Sequence, residues 1–120
     1  MSSLGEQFVS AIAKRDRDGL RQLLADDVDF QALTPKRLWT ATSADEVDGI
    51  VFANWFEDDE NITAVPMLET GHVAGVDRVG YRYEVDTPHG PRVVEQQAYY
   101  KVKDDRIVHM RIACSGFRIP

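Results

Sequence analysis

Three stretches in the second half of the chain sort their side chains by parity, and few folds accept such sorting. In 79–86, Val79, Tyr81, Tyr83 and Val85 alternate with Gly80, Arg82, Glu84 and Asp86. In 93–102, Val94, Gln96, Ala98, Tyr100 and Val102 alternate with Val93, Glu95, Gln97, Tyr99 and Lys101. In 107–114, Val108, Met110, Ile112 and Cys114 alternate with Ile107, His109, Arg111 and Ala113. A strand sends successive side chains to opposite faces, so these are half-buried antiparallel strands with one apolar, ring-bearing face. That face must be covered, and any cavity under the cover is the candidate site.

The cover lies in the first half. Residues 3–15 predict a helix, because Leu4, Phe8, Ala11 and Ile12 share one side of a 3.6-residue period. Asp16 is placed to cap a second helix reaching about Ala25, with Leu20, Leu23 and Leu24 as its buried stripe. Val28–Leu33 predicts a short strand, broken at Thr34-Pro35. Ser43 with Glu46 three residues on matches a capping box, which opens a third helix running to about Glu57. Strands follow over roughly 62–73, 78–87, 92–103 and 106–115, with reversals at 75–77, 87–91 and 104–105. The order is α+β: a curved, mainly antiparallel sheet of about four long strands and a short one, wrapped around three N-terminal helices to leave a cone-shaped pocket.

A chain of 120 residues predicts one domain over 1–120. Twenty acidic against 14 basic residues give a net charge of −6, and the basic residues are scattered, so neither nucleic acid nor an anionic membrane is an expected partner. One cysteine, Cys114, excludes an internal disulfide and a cysteine zinc cluster, which suits the cytoplasm. The first residues lack a basic, apolar leader and no long apolar run follows, so neither a signal peptide nor a membrane span is expected. His72, His89 and His109 form no ligand-spaced pair, so no metal or cofactor is expected.

The order of elements and three passages resemble the SnoaL-like branch of the NTF2-like superfamily, the cystatin-like α+β cone. The passages are Leu23-Leu24-Ala25-Asp26-Asp27-Val28, Ser43-Ala44-Asp45-Glu46-Val47, and Ala98 through Val108 over the last hairpin. The resemblance covers nearly the whole chain and implies the fold, not one reaction. Its members include polyketide cyclases, ketosteroid isomerases, epoxide hydrolases, dehydratases, ligand binders and association domains. The isomerase-like catalytic Asp falls on Ala32, the oxyanion Tyr on Phe8, its Tyr partner on Phe52 and the second oxyanion donor on Ala98. None of these four titrates, so ketosteroid isomerase chemistry is not expected. The epoxide hydrolase relay would draw on Arg82, Glu84, Glu95 and Arg111, yet turning these inward exposes Val79, Tyr83 and Met110, at ~1.5–3 kcal/mol for each large apolar side chain.

Two readings remain open. In the first, an aromatic-walled pocket takes a compact, largely apolar ligand, with candidate lining residues Phe8, Ile12, Phe30, Trp39, Phe52, Trp55, Tyr81, Tyr83, Gln96, Ala98, Met110, Ile112 and Cys114. Its few polar atoms either converge on a ligand or satisfy one another. A well-filled cone without a cavity of roughly 300 Å³ or more would count against this reading, and isomerisation, cyclisation or dehydration are its candidate reactions. In the second, the outer ladder of Arg82, Glu84, Glu95, Gln97, Tyr99, His109 and Arg111 forms a homodimer or partner surface, with Tyr99 and Ile107 as its apolar bodies. Trp55 is expected on the apolar stripe of the third helix, Trp39 in a mobile turn, and Asp26, Asp27 and Asp29 in loop and capping roles, with the cavity rim as the alternative for Asp29.

Overall fold

A computed structural model describes residues 3–120. Each helix begins where a side chain accepts from the first free amides. Ser3 and Glu6 form a reciprocal capping box that opens α1 (Leu4–Ala13). Asp16 accepts from the Gly19 amide at 3.0 Å and starts α2 (Arg17–Leu23). Ser43 accepts from the Glu46 amide at the start of α3 (Ala44–Ile50), while Glu46 reaches back to Thr42 rather than to Ser43's own amide. α3 then widens into a π-helical turn, Val51–Trp55, closed by Phe56 N–H donating to the Val51 carbonyl five residues back.

Six strands follow or interleave: β1 (Leu24–Thr34), β2 (Arg37–Ala41), β3 (Asn61–Val73), β4 (Val76–Thr87), β5 (Gly90–Lys103) and β6 (Arg106–Cys114). They form one sheet in the order β2-β1-β6-β5-β4-β3, antiparallel except for the β1–β6 pair. This is the α+β cone expected from the sequence, with one more strand than anticipated. The extra strand is β2, which returns on β1 through a turn at Pro35-Lys36. The Thr34-Pro35 break is therefore a hairpin tip, and Arg37–Ala41 escaped notice because Leu38 and Trp39 are adjacent and do not alternate. β1 is also longer than predicted, running from Leu24, with an irregularity between Leu24 and Asp29.

Alternation holds along β4, where Val79, Tyr81, Tyr83 and Val85 are buried and Arg82, Glu84 and Asp86 are exposed. At the start of β6 it fails. Lys101 pairs with His109 and Val102 with Ile107, so Val108 is an unpaired extra residue that reverses the parity before it. Ile107, expected on the outer face, is consequently buried against Leu24, and Val102, expected inside, is 42% exposed.

The helices lie on the apolar face. Phe8, Val9 and Ile12 of α1 meet Tyr83, whose hydroxyl donates to the Val9 carbonyl at 2.8 Å. Tyr100 accepts from the Gly5 amide at 3.0 Å, and a Cβ at position 5 would stand 2.6 Å from that hydroxyl oxygen, so the close approach requires glycine. α2 and α3 are joined by Asp48, which is 4% exposed and takes two bonds from Arg17, at 2.6 and 3.1 Å, and a contact from Arg21 at 3.2 Å. Met110 sits fully enclosed on β6. Replacing it by Asp would bury an unpaired carboxylate, so Met110→Asp is expected to lose at least ~3 kcal/mol in urea unfolding or to fail to fold. An unchanged midpoint would invert the assignment of faces.

Candidate functional site

Where the ends of β1 and β6 meet the π-helical turn, the core opens into a cavity of about 160 Å³. Trp39 of β2, Trp55 of the π-helical turn, Val94 and Gln96 of β5, and Cys114 at the end of β6 line it. Phe56 and Phe117 close one side, their rings edge to face at 6.2 Å. Thr34, Asn54 and Gly116 complete the wall, and no charged side chain contributes to it.

Each polar wall group is placed by a specific bond. Tyr81 donates its hydroxyl to Gln96 Oε1 at 2.5 Å, and Gln96 Nε2 donates to Cys114 Sγ at 3.2 Å. The Gly116 amide also donates to Cys114 Sγ, at 3.3 Å. Gly116 reaches this position at φ 71°, in the left-handed region, with Pro35 only 3.0 Å from where a Cβ would stand. Beyond it the tail pairs with the start of β5, Arg118 and Val93 exchanging amide–carbonyl bonds at 2.9 Å. Phe117 is thereby held at the cavity wall.

The two tryptophans stand edge to face at 6.5 Å, and Trp55 also packs on Phe30 at 6.3 Å. Trp39, expected in a mobile turn, is instead fixed in β2. Its indole N–H donates to Thr34 Oγ1 at 3.1 Å, and the Arg37 guanidinium covers its ring at 3.7 Å. The indole nitrogen of Trp55 is buried out of reach of a water molecule and has no hydrogen-bond partner among the described residues.

Of the other lining candidates, Phe8, Ile12, Ala98, Met110, Ile112, Tyr81 and Tyr83 are buried in the packed core, away from the cavity wall. Phe52 is buried beneath the guanidinium groups of Arg15 and Arg17, at 5.3 and 5.7 Å from its ring. The sequence did not point to Thr34, Asn54, Phe56, Val94, Gly116 or Phe117 as wall residues. Asn54 and Phe56 needed the π-helical offset, and Gly116 and Phe117 needed the tail pairing, neither of which has a periodicity signal. Toward the other end of β5, a larger and more polar groove of about 480 Å³ runs past Leu4, Thr70, Tyr100 and the exposed His72–Asp77 pair. Like the smaller cavity it is open to solvent, and its His72 is already engaged by Asp77 at 3.0 Å.

The outer face is a charged ladder. Arg82 faces Glu95 at 3.5 Å, Glu84 is exposed, and Gln97 accepts from Arg78 at 2.9 Å. His109 and Arg111 flank Asp29 at 3.6 and 3.1 Å, so Asp29 belongs to this face and not to the cavity rim. The Arg111 hydrogen bond holds the Asp29 carboxyl below its ordinary value. Arg82, Glu84, Glu95 and Arg111 therefore form no relay inside the cone. Ala32 and Ala98 are likewise buried and carry no acid or base.

With the geometry fixed, the relationship can be assigned. The sequence model of the SnoaL-like domain matches residues 6–110. The chain belongs to this family. Solved structures share the cone. A protein with a ketosteroid isomerase-like fold from Catenulispora acidiphila, in complex with trimethylamine, superposes with a TM-score of 0.74 at 14% identity, over 95% of this chain and 88% of that one. An NTF2-like protein from Burkholderia thailandensis gives 0.69 at 15% identity, over 96% and 92%. An epoxide hydrolase of the LEH-like type from M. tuberculosis gives 0.68 at 12% identity, over 93% and 80%. At these identities the likeness is one of fold. No curated protein matches the chain. Within this SnoaL-like domain, no described helix is long and apolar enough to cross a membrane.

The Tyr81–Tyr83 pair beneath the cavity, 5.2 Å between rings, has a measurable signature. Burial pushes both phenols well above their ordinary value, with Cys114 adding to the effect at Tyr81 and Tyr81 adding to it at Tyr83. A group whose folded pKa is raised contributes stability below its unfolded pKa and loses it as pH rises through the folded value. Spectrophotometric titration is thus expected to leave Tyr81 and Tyr83 protonated above about pH 10 until the fold opens. Tyr81→Phe and Tyr83→Phe should each remove one late-titrating phenol.

Proposed function

We propose that this SnoaL-like domain binds one compact, largely hydrophobic small molecule in the cavity between Trp39, Trp55 and Cys114. The observation that carries the reading is an uncharged, aromatic-walled opening in an otherwise filled core. At about 160 Å³ it falls short of the roughly 300 Å³ set as the test of the pocket reading, which counts against any but a very small ligand. An apolar space of roughly 150 Å³ accepts a benzene-sized guest, whereas drug-sized ligands need about 300 Å³ or more. Among the described wall residues Cys114 is the one titratable side chain. Any isomerase-, cyclase- or dehydratase-type turnover would therefore pass its proton through that thiol, and binding is the primary role in this reading.

A second reading concerns the outer face, where exposed Leu33, Leu38 and Tyr99 lie together around a shallow groove of about 270 Å³ with Gln31, Gln97 and Arg111. This mixed apolar and charged patch supports association with a second copy of the chain.

Cumene, a nine-heavy-atom apolar probe, is expected to raise the thermal midpoint saturably. Val94→Phe, which fills the cavity at a cost of about 1–3 kcal/mol, should abolish that shift. An undiminished shift in this variant would place the ligand elsewhere. For the outer face, Tyr99→Glu should lower self-association in sedimentation velocity and leave the circular dichroism unchanged. A wild-type monomer at micromolar concentration would rule this association out.

A further inference from the structure

A cation stands at the rim of the cavity without entering its wall. Arg37 and Trp39 are two residues apart on β2, so they share a face of the sheet, the one on which Ala41 is buried and Trp39 lines the cavity. Arg37 is paired in register with Thr34, a wall residue whose hydroxyl donates to the Arg37 carbonyl. Its guanidinium lies 3.7 Å from the centre of the Trp39 ring. The side chain is exposed, on the open side of that wall.

The partners of this cation set it apart from most others in the chain. Of ten arginines, six are ion-paired: Arg15, Arg17, Arg21, Arg82, Arg106 and Arg111. Arg78 donates to Gln97, and Arg92 to the Pro91 carbonyl. Among the described residues the Arg37 guanidinium has neither an acid nor a hydrogen-bond acceptor, and the Trp39 ring holds it instead. That contact uses the charge and leaves the fork of N–H donors unspent.

Two constraints then act on a ligand. The wall itself holds no cation, so a carboxylate drawn inside would lose its hydration without a counter-charge. A space of about 160 Å³ holds one ring and little else. An acid whose ring fills the cavity and whose carboxylate reaches back to the rim satisfies both, because a guanidinium fork donates to both carboxylate oxygens.

We infer that the ligand of this cavity is a small amphiphile, a single apolar ring carrying a carboxylate on a short linker, with the ring inside and the carboxylate on Arg37. This rests on the binding reading above and adds ligand class and orientation to it. Arg37 is then the specificity-determining residue.

Three compounds separate the terms: cumene, 3-phenylpropionate and its neutral isostere 3-phenylpropanamide. In NMR titrations at low salt, the acid is expected to bind at least about five-fold tighter than the amide. The net charge of −6 by itself would favour the reverse order. Arg37→Gln should bring acid and amide within about two-fold of each other and leave cumene within about two-fold of its original affinity. Lys36→Gln, which removes the adjacent cation of the hairpin tip, should keep the acid preference. Raising NaCl to about 0.5 M should shrink it, since an exposed pair is screened. Val94→Phe should abolish binding of all three.

Equal binding of acid and amide by the unsubstituted chain would overturn the ligand class, while saturable cumene binding would keep the pocket reading. An acid preference that survives Arg37→Gln, or falls as far in Lys36→Gln, would overturn the role of Arg37. Acid binding undiminished in Val94→Phe would place the ring outside the cavity and sink the inference. If none of the three compounds binds, the pocket reading itself fails. Should Arg37→Gln not fold, the acid-to-amide ratio of the unsubstituted chain and its salt dependence decide the matter.

Discussion

The parallel ladder between β1 and β6 is the constraint on which this structure depends. It joins residues 24–33 to residues 107–113 and is the only parallel pairing in the described sheet. Through it the helical half of the chain is fixed to the last strand of the meander, which leaves α1, α2 and α3 nowhere to lie but across the apolar face. Parallel pairs need long crossovers, and here the crossover is most of the molecule. The β1–β2 hairpin then extends the sheet past β6, which brings Trp39 to Trp55 and sets the cavity between them.

The interior chemistry follows from how few polar atoms this arrangement admits. A line of hydrogen bonds runs from Tyr81 through Gln96 to Cys114, crossing β4, β5 and β6, and the Gly116 amide ends it from the tail. Such a line orders the floor of the cavity and also consumes its donors and acceptors. Ala32, Phe8, Phe52 and Ala98, onto which the family resemblance carries the isomerase-like acid, base and donor positions, are buried side chains without a titratable group. What remains at the cavity is shape and aromatic surface.

The fold was legible because period-two alternation in β4, β5 and most of β6 and helical stripes in the first half agree with each other, and because Ser3, Asp16 and Ser43 sit where helices begin. Legibility ended where local sequence stops controlling side-chain direction. The extra residue at Val108 reverses two neighbours, so Ile107 turned inward against its expected parity. β2 was hidden by the adjacent Leu38 and Trp39. At the site, Trp39, Trp55, Gln96 and Cys114 could be named from type and parity, but Val94, Phe56 and Phe117 could not be told from ordinary core and tail. The cavity falls short of the size that the pocket reading called for because Tyr81, Tyr83 and Met110 fill space that parity alone marks only as interior.

The π-helical turn at Val51–Trp55 has one further consequence. Such a turn holds one residue more than the α-helical turn it replaces, and each residue advances a helix by about 100°. Deleting a single codon here would rewind the segment to ordinary pitch and swing a different side chain toward the two strand ends, with the sheet unaltered. Within such a scaffold, a single-residue indel in this turn would change which side chains wall the cavity without rebuilding the open sheet beneath it.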